Sequence, residues 1–172
     1  MLEILVENQA RINFGKAIDE TKGINGKVWL GNKAIESEWS QYRVPLHEAS
    51  TLEQWIDSKS CESFVDAKSS HRSPSFFKGT FDIESESDLA ETFLELKGWR
   101  KGVAWINGFN LGRYWPVAGP QVTLYVPKVK LRKHNTIVVM EHESSPCASG
   151  RGGCHVELVD QHIVNGVVPD TL

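Results

Sequence analysis

Gly98-Trp99-Arg100-Lys101-Gly102-Val103-Ala104-Trp105-Ile106-Asn107-Gly108-Phe109-Asn110-Leu111-Gly112-Arg113-Tyr114-Trp115 is the stretch whose reading decides the fold. Its centre, Asn107-Gly108, lies between two runs of strand-forming residues. A two-residue hairpin turn needs φ > 0 at both central positions, and Asn and Gly tolerate that better than other residues. Residues 103–106 are therefore expected to form one strand, with residues 109–114 as its antiparallel return.

Working outward, residues 76–83, 90–96, 122–126, 136–141 and 155–159 read as further short strands, separated by turn signals. No long 3.6-residue periodicity competes with them. The composition agrees, with 14 Gly, seven Pro and 16 aromatic residues favouring β structure and turns. The expected fold class is all-β, two antiparallel sheets packed as a sandwich or jelly roll.

Upstream, residues 2–7 alternate as a strand would. Val28-Trp29-Leu30 reads as another, entered through the turn signal Gly23-Ile24-Asn25-Gly26, and Asn13-Phe14-Gly15 reads as a loop between them. A strand beginning at residue two suggests a piece of a longer parent. Residues 47–75 are rich in Ser and poor in large apolar groups after Ile56. They read as a linker, with a short helix near 51–56 behind the capping box Thr51-Leu52-Glu53-Gln54. The tail after Gln161 has little to pack.

Net charge is −3, which argues against nucleic acid as a partner. The basic cluster Lys128, Lys130, Arg132, Lys133 and His134 alternates in part with Val129 and Leu131. It is expected to be the solvated face of a strand. No apolar run approaches the roughly 20 residues that span a bilayer. The N-terminus lacks the basic start of a signal peptide, and Glu3 and Glu7 interrupt its apolar run.

Motifs for catalysis are missing. There is no G-x-S-x-G, no H-E-x-x-H and no Walker loop. Ser149-Gly150-Arg151-Gly152-Gly153 lacks the Lys-Ser/Thr of a phosphate loop. Glu141 and Glu143, two apart at a strand end, would share a face as a close carboxylate pair, with no sugar cleft evident nearby. Three cysteines suggest one local bridge, Cys147 to Cys154, and a spare thiol at Cys61. Zinc on His142, Cys147, Cys154 and His155 is the weaker reading, because zinc-binding cysteine pairs are usually about two to four residues apart and here six intervene. Neither a cofactor nor a metal is expected.

The quoted stretch, followed by Gly119-Pro120-Gln121-Val122-Thr123-Leu124-Tyr125-Val126-Pro127, closely resembles the terminal β domain of glycoside hydrolase family 35 β-galactosidases, especially the animal lysosomal type. Leu5-Val6-Glu7-Asn8-Gln9-Ala10-Arg11-Ile12-Asn13-Phe14-Gly15 resembles the β domain that precedes it. Residues 74–81 resemble the first strand of the last domain, and Pro146-Cys147 with Cys154 its late disulfide. The linker does not match clearly.

The resemblance implies a galactose-binding-like β domain at residues 74–166, after an incomplete first β domain at 1–48 and a linker at 49–73, with a tail at 167–172. It implies a parent that is lysosomal or secreted and whose catalytic (β/α)₈ barrel holds both catalytic carboxylates. Such a barrel needs about 250 residues, and the family's N-E-Y-G-type acid/base run is absent. No residue here is therefore expected to be catalytic, and the chain is expected not to be an enzyme on its own. Its expected partners are that barrel and, weakly, β-galactosides. For a sugar, the aromatic residues at 99, 105, 109, 114, 115 and 125 could stack, with Trp105, Tyr114 and Trp115 the foremost candidates, and Asn107, Asn110 and Arg113 are the candidate hydrogen-bonding groups. The competing reading places the aromatics in the sandwich core and makes Asn107 and Asn110 turn residues.

Overall fold

The computed structural model describes residues 2–8, 12–16, 18–43, 46, 74–149 and 154–164. The chain divides into two compact units, residues 1–43 and 44–172. In the first, β1 (Trp29–Leu30) and β2 (Lys33–Ala34) form a small antiparallel hairpin around Gly31, whose φ of +60° suits glycine. Ile35 N–H closes it on Val28 C=O at 2.8 Å. Residues 2–8 are not a strand. Alternation sets the faces of a strand, but a strand is also defined by a ladder with a neighbour, and residues 2–8 take part in none of the ladders among the described residues. The helix expected near 51–56 and the linker lie outside the described residues, as does Cys61.

The second unit is an all-β sandwich. β3 (Ser75–Asp82), β5 (Gly102–Ile106), β6 (Phe109–Tyr114) and β8 (His134–Glu141) make one antiparallel sheet in the order β3-β8-β5-β6. β4 (Thr92–Glu95), β7 (Thr123–Val126) and β9 (Glu157–Val159) make the other, in the order β7-β4-β9. Leu94, Leu96, Leu124 and Val126 on or beside the smaller sheet meet Ala104, Ile106, Tyr114, Ile137 and Val139 from the larger one in a shared core. Burying each large aliphatic chain there contributes roughly 1.5–3 kcal/mol.

β8 and β5 are the central strands and are apolar on both faces. Ile137 and Val139 point to the sandwich core, whereas Val138 and Met140 join Trp105 on the outer face. That second cluster is completed by Phe76, Val103 and Leu46. Such two-sided burial explains why β8 reads as the near-continuous apolar run Ile137-Val138-Val139-Met140.

Asn107 (φ 48°) and Gly108 (φ 78°) make the expected tight hairpin turn. The return strand carries a bulge. Ala104 pairs with Gly112 and Trp105 with Asn110, so Leu111 is the extra residue. Side chains alternate with period two, yet Leu111 and Tyr114, three apart, both pack on the core. One inserted residue resolves that parity.

Two expectations about ends are corrected. Residues 128–130 form a 3-10 turn rather than a strand, with Pro127 before it. Val129 is 83% exposed and Leu131 is buried, so they do not alternate on one face. Nor is the chain after Gln161 loose throughout. Ile163 N–H donates to Thr123 Oγ1 (3.0 Å), Val122 N–H donates to Ile163 C=O (2.9 Å), and His162 meets the Phe93 ring.

Cys147 and Cys154 are bridged. The bridge ties the end of the chain beyond β8 to the approach to β9, beside Trp99, whose indole N–H donates to His155 C=O at 3.0 Å. Closing so short a loop stabilises the fold by about 2.5 kcal/mol on the chain-entropy model. A Cys147→Ser/Cys154→Ser variant should therefore lose about 2–3 kcal/mol in urea unfolding. An unchanged midpoint would show that the loop is held without it.

Candidate functional site

Glu141 is 1% exposed. Its carboxylate accepts hydrogen bonds from Arg100 N–H (2.8 Å), Lys101 N–H (3.2 Å), Glu143 N–H (2.8 Å) and the Tyr114 hydroxyl (3.1 Å). Glu143 is exposed and lies 3.5 Å from Arg100. The two carboxylates therefore do not pair: one is inside, held by backbone donors, and the other is in solvent. Sequence reasoning missed this role for Glu141, because two of its donors come from a turn about forty residues away and a third from Tyr114 on another strand.

Burial, and then the charge and hydrogen bond of Glu141, push the Tyr114 phenol far above its ordinary value of 10. Its hydroxyl also contacts Met140 C=O at 3.1 Å. Gly102 makes this possible. A Cβ there would lie 1.7 Å from Met140 O and 2.6 Å from the Tyr114 hydroxyl.

The candidate sugar-binding residues do not converge on one surface. Trp105 is fully buried, its indole N–H donating to Leu46 C=O at 3.0 Å, and Tyr114 is 2% exposed. Neither offers a ring face to a ligand. Asn107 is spent on structure: its amide donates to Lys130 C=O (2.7 Å) and Asn135 Oδ1 (2.8 Å) and accepts from Thr136 N–H (2.9 Å). Asn110 Oδ1 accepts from Gly112 N–H at 2.7 Å, bracing the bulge. Trp115 remains partly open at 39%, with the Lys101 ammonium 4.4 Å from its ring centre. Arg113 and Trp115 line a shallow depression of about 180 Å³ with Gln121, Val122 and Thr123.

At the opposite end of the β5–β6 hairpin lies a larger groove of about 430 Å³. Asn107, Gly108, Phe109 and Asn110 form one wall, and Val129, Lys130 and Arg132 the other. Elsewhere, Glu91 accepts from the Tyr125 hydroxyl and from Lys128 N–H (2.9 Å). The Tyr125 hydroxyl, then the Lys128 N–H, hold the Glu91 carboxyl below its usual 4.5. Among the described residues no group of His, Cys, Asp or Glu is arranged to hold a metal ion, and no helix is long and apolar enough to cross a membrane.

Among the described residues of the second unit, seven strands form an antiparallel sandwich, which places it in the class of all-β sandwich domains. Residues 74–136 match the family model described as beta-galactosidase, galactose-binding domain, and residues 1–45 the one described as beta-galactosidase, first all-beta domain. Both matched segments are thus of domain types described for β-galactosidases. It is 40% identical to a beta-galactosidase of Canis lupus familiaris over 173 residues, covering 95% of this chain and 26% of that protein. It is 38% identical to a beta-galactosidase of Homo sapiens, covering 97% of this chain and 26% of that protein. Beta-galactosidase 17 of Arabidopsis thaliana is 40% identical over 83% of the chain and 21% of its own length. The chain thus spans about a quarter of the length of the animal relatives.

The Glu141 network yields two expectations. Gly102→Ala should cost at least about 3 kcal/mol in denaturant unfolding, since backbone and a buried hydroxyl both block the methyl group. A smaller loss would mean that β5 and β8 separate easily. The pH dependence follows from Tyr114, which stays protonated in the folded state above pH 10 while the unfolded chain releases that proton. Stability is then full below pH 10 and falls as pH rises beyond it. Tyr114→Phe should flatten that alkaline decline, as read from melting temperature against pH; an unaltered slope would remove Tyr114 as its cause.

Proposed function

We propose that this chain is a non-catalytic β-domain segment of a β-galactosidase, a retaining glycoside hydrolase of family 35. In this reading it packs against the parent's catalytic (β/α)₈ barrel and supports its folding or assembly. The observation that carries the reading is Glu141. Retaining hydrolysis needs two carboxyl groups about 5–5.5 Å apart and open to substrate. The one buried carboxylate among the described residues has both oxygens occupied by donors of the fold itself.

The match to about a quarter of each animal relative supports a supporting rather than a hydrolytic segment. The domain limits we propose are 1–48, 49–73 and 74–166, with a tail to 172. The Cys147–Cys154 bridge fits an oxidising setting, lysosomal or secreted. A second reading, a stand-alone galactoside-binding module, rests on the half-open Trp115 beside Arg113 and Gln121.

The test is an exchange. The matching segment of the canine relative is replaced by this chain, and solubility and hydrolysis of a chromogenic β-galactoside are compared with those of a deletion of the same segment. The exchange should keep at least roughly a tenth of the parental activity and the deletion should lose soluble enzyme. Full activity in the deletion would overturn the supporting role. The chain alone should give no turnover above buffer, and galactose affinity weaker than about 1 mM, an affinity worth roughly 4 kcal/mol. Tight saturable galactose binding abolished by Trp115→Ala would promote the second reading.

A further inference from the structure

The groove between the Asn107-Gly108 turn and the 3-10 turn Lys128–Lys130 has a use that the supporting role leaves open. Its two walls are fastened together beneath it. The Asn107 amide reaches Lys130 C=O and Asn135 Oδ1. Asn135, itself 2% exposed, also accepts from Arg132 N–H at 2.8 Å and donates to Arg132 C=O at 2.5 Å. The cations of the groove are thus carried on a backbone already fixed in place, which lowers the ordering cost of binding.

The side chains on this frame form a consistent set. The Lys130 ammonium stands 4.5 Å from the centre of the Phe109 ring. Neither Lys130 nor Arg132 has an acidic partner among the described residues, in contrast to Arg100, His134 and His155, which do. Phe109 is 38% exposed and Val129 83% exposed, so both offer apolar surface. Asn110 commits its carbonyl oxygen to Gly112 and has an amide NH₂ to offer.

Two cations call for an oxyanion, the apolar pair for a C–H face, and the amide for a hydroxyl. About 430 Å³ lies within the range of small-ligand sites, roughly 300–1,000 Å³. The geometry points to an anion-bearing sugar, a sulfated or carboxylated hexose unit, as the ligand of this groove. The site is separate from the Trp115 depression and does not rest on the supporting role.

The test uses the full chain, ¹⁵N-labelled, titrated with a monosulfated hexose, the matching neutral hexose, inorganic sulfate and a short poly-glutamate peptide. The sulfated hexose should give saturable shifts at Phe109, Asn110 and Lys130, weakening at high salt because the contact is ionic. Arg132→Gln, which keeps both backbone bonds to Asn135, should leave the melting temperature unchanged and weaken binding at least about tenfold, a change of roughly 1.4 kcal/mol. Lys130→Gln should do the same. Equal binding of the neutral hexose, equal binding of inorganic sulfate, tighter binding of the acidic peptide, or no loss in either variant would each overturn the assignment.

Discussion

One buried negative charge organises the larger sheet. A carboxylate taken out of water is costly unless hydrogen bonds replace the lost hydration. Glu141 meets that demand with four donors drawn from three places: the turn before β5, the chain just after β8, and the Tyr114 hydroxyl on β6. The three strands must then stop in register at this end. Gly102 follows from the same constraint, because only a residue without Cβ lets Tyr114 reach Met140 C=O and Glu141 together. At the far end of β8, Asn135 plays the corresponding part with neutral groups, joining the hairpin turn at Asn107 to Arg132. Between these two polar anchors β8 is free to be apolar on both faces.

This arrangement governs what the domain has left to offer a partner. Trp105, Tyr114 and Asn107 look in the sequence like groups that recognise a sugar. They are consumed in holding strands and turns together. What stays available is carried by segments that these anchors position: Trp115 after β6, and the cations of the 3-10 turn. The anchoring residues thus act on recognition only indirectly, by fixing where other side chains stand.

The positions of the strands in the second unit were legible because their causes are local. Asn107-Gly108 specifies its own turn, and runs such as Thr92–Glu95 and Thr123–Val126 carry enough strand-forming residues to declare themselves. The misreadings arose where distant groups decide. The bulge at Leu111 settles a conflict of side-chain parity visible only once Tyr114 is known to be buried. The apparent alternation over 128–132 gave way to a 3-10 turn whose position the Asn107 amide fixes from twenty-three residues away. Residues 2–7 had the pattern of a strand but join no ladder among the described residues. Glu141 and Glu143 looked equivalent, and only tertiary donors separate the buried one from the exposed one. The groove was missed for the same reason, since its walls are distant in sequence.

The chemistry of the carboxylates themselves bears on hydrolysis more sharply than the lack of a motif. A general acid must hold its proton near neutral pH, and enzymes arrange this by burial or by a neighbouring like charge that raises the carboxyl pKa. Glu91 is driven the other way, since the Tyr125 hydroxyl and a backbone N–H favour its ionised form. A nucleophile must present a free oxygen to the sugar carbon, whereas both oxygens of Glu141 already accept two hydrogen bonds each. To serve as either group, Glu141 would first have to give up the bonds that keep β5, β6 and β8 aligned. The bonds that hold Glu141 in place are thus the same ones that occupy its two oxygens.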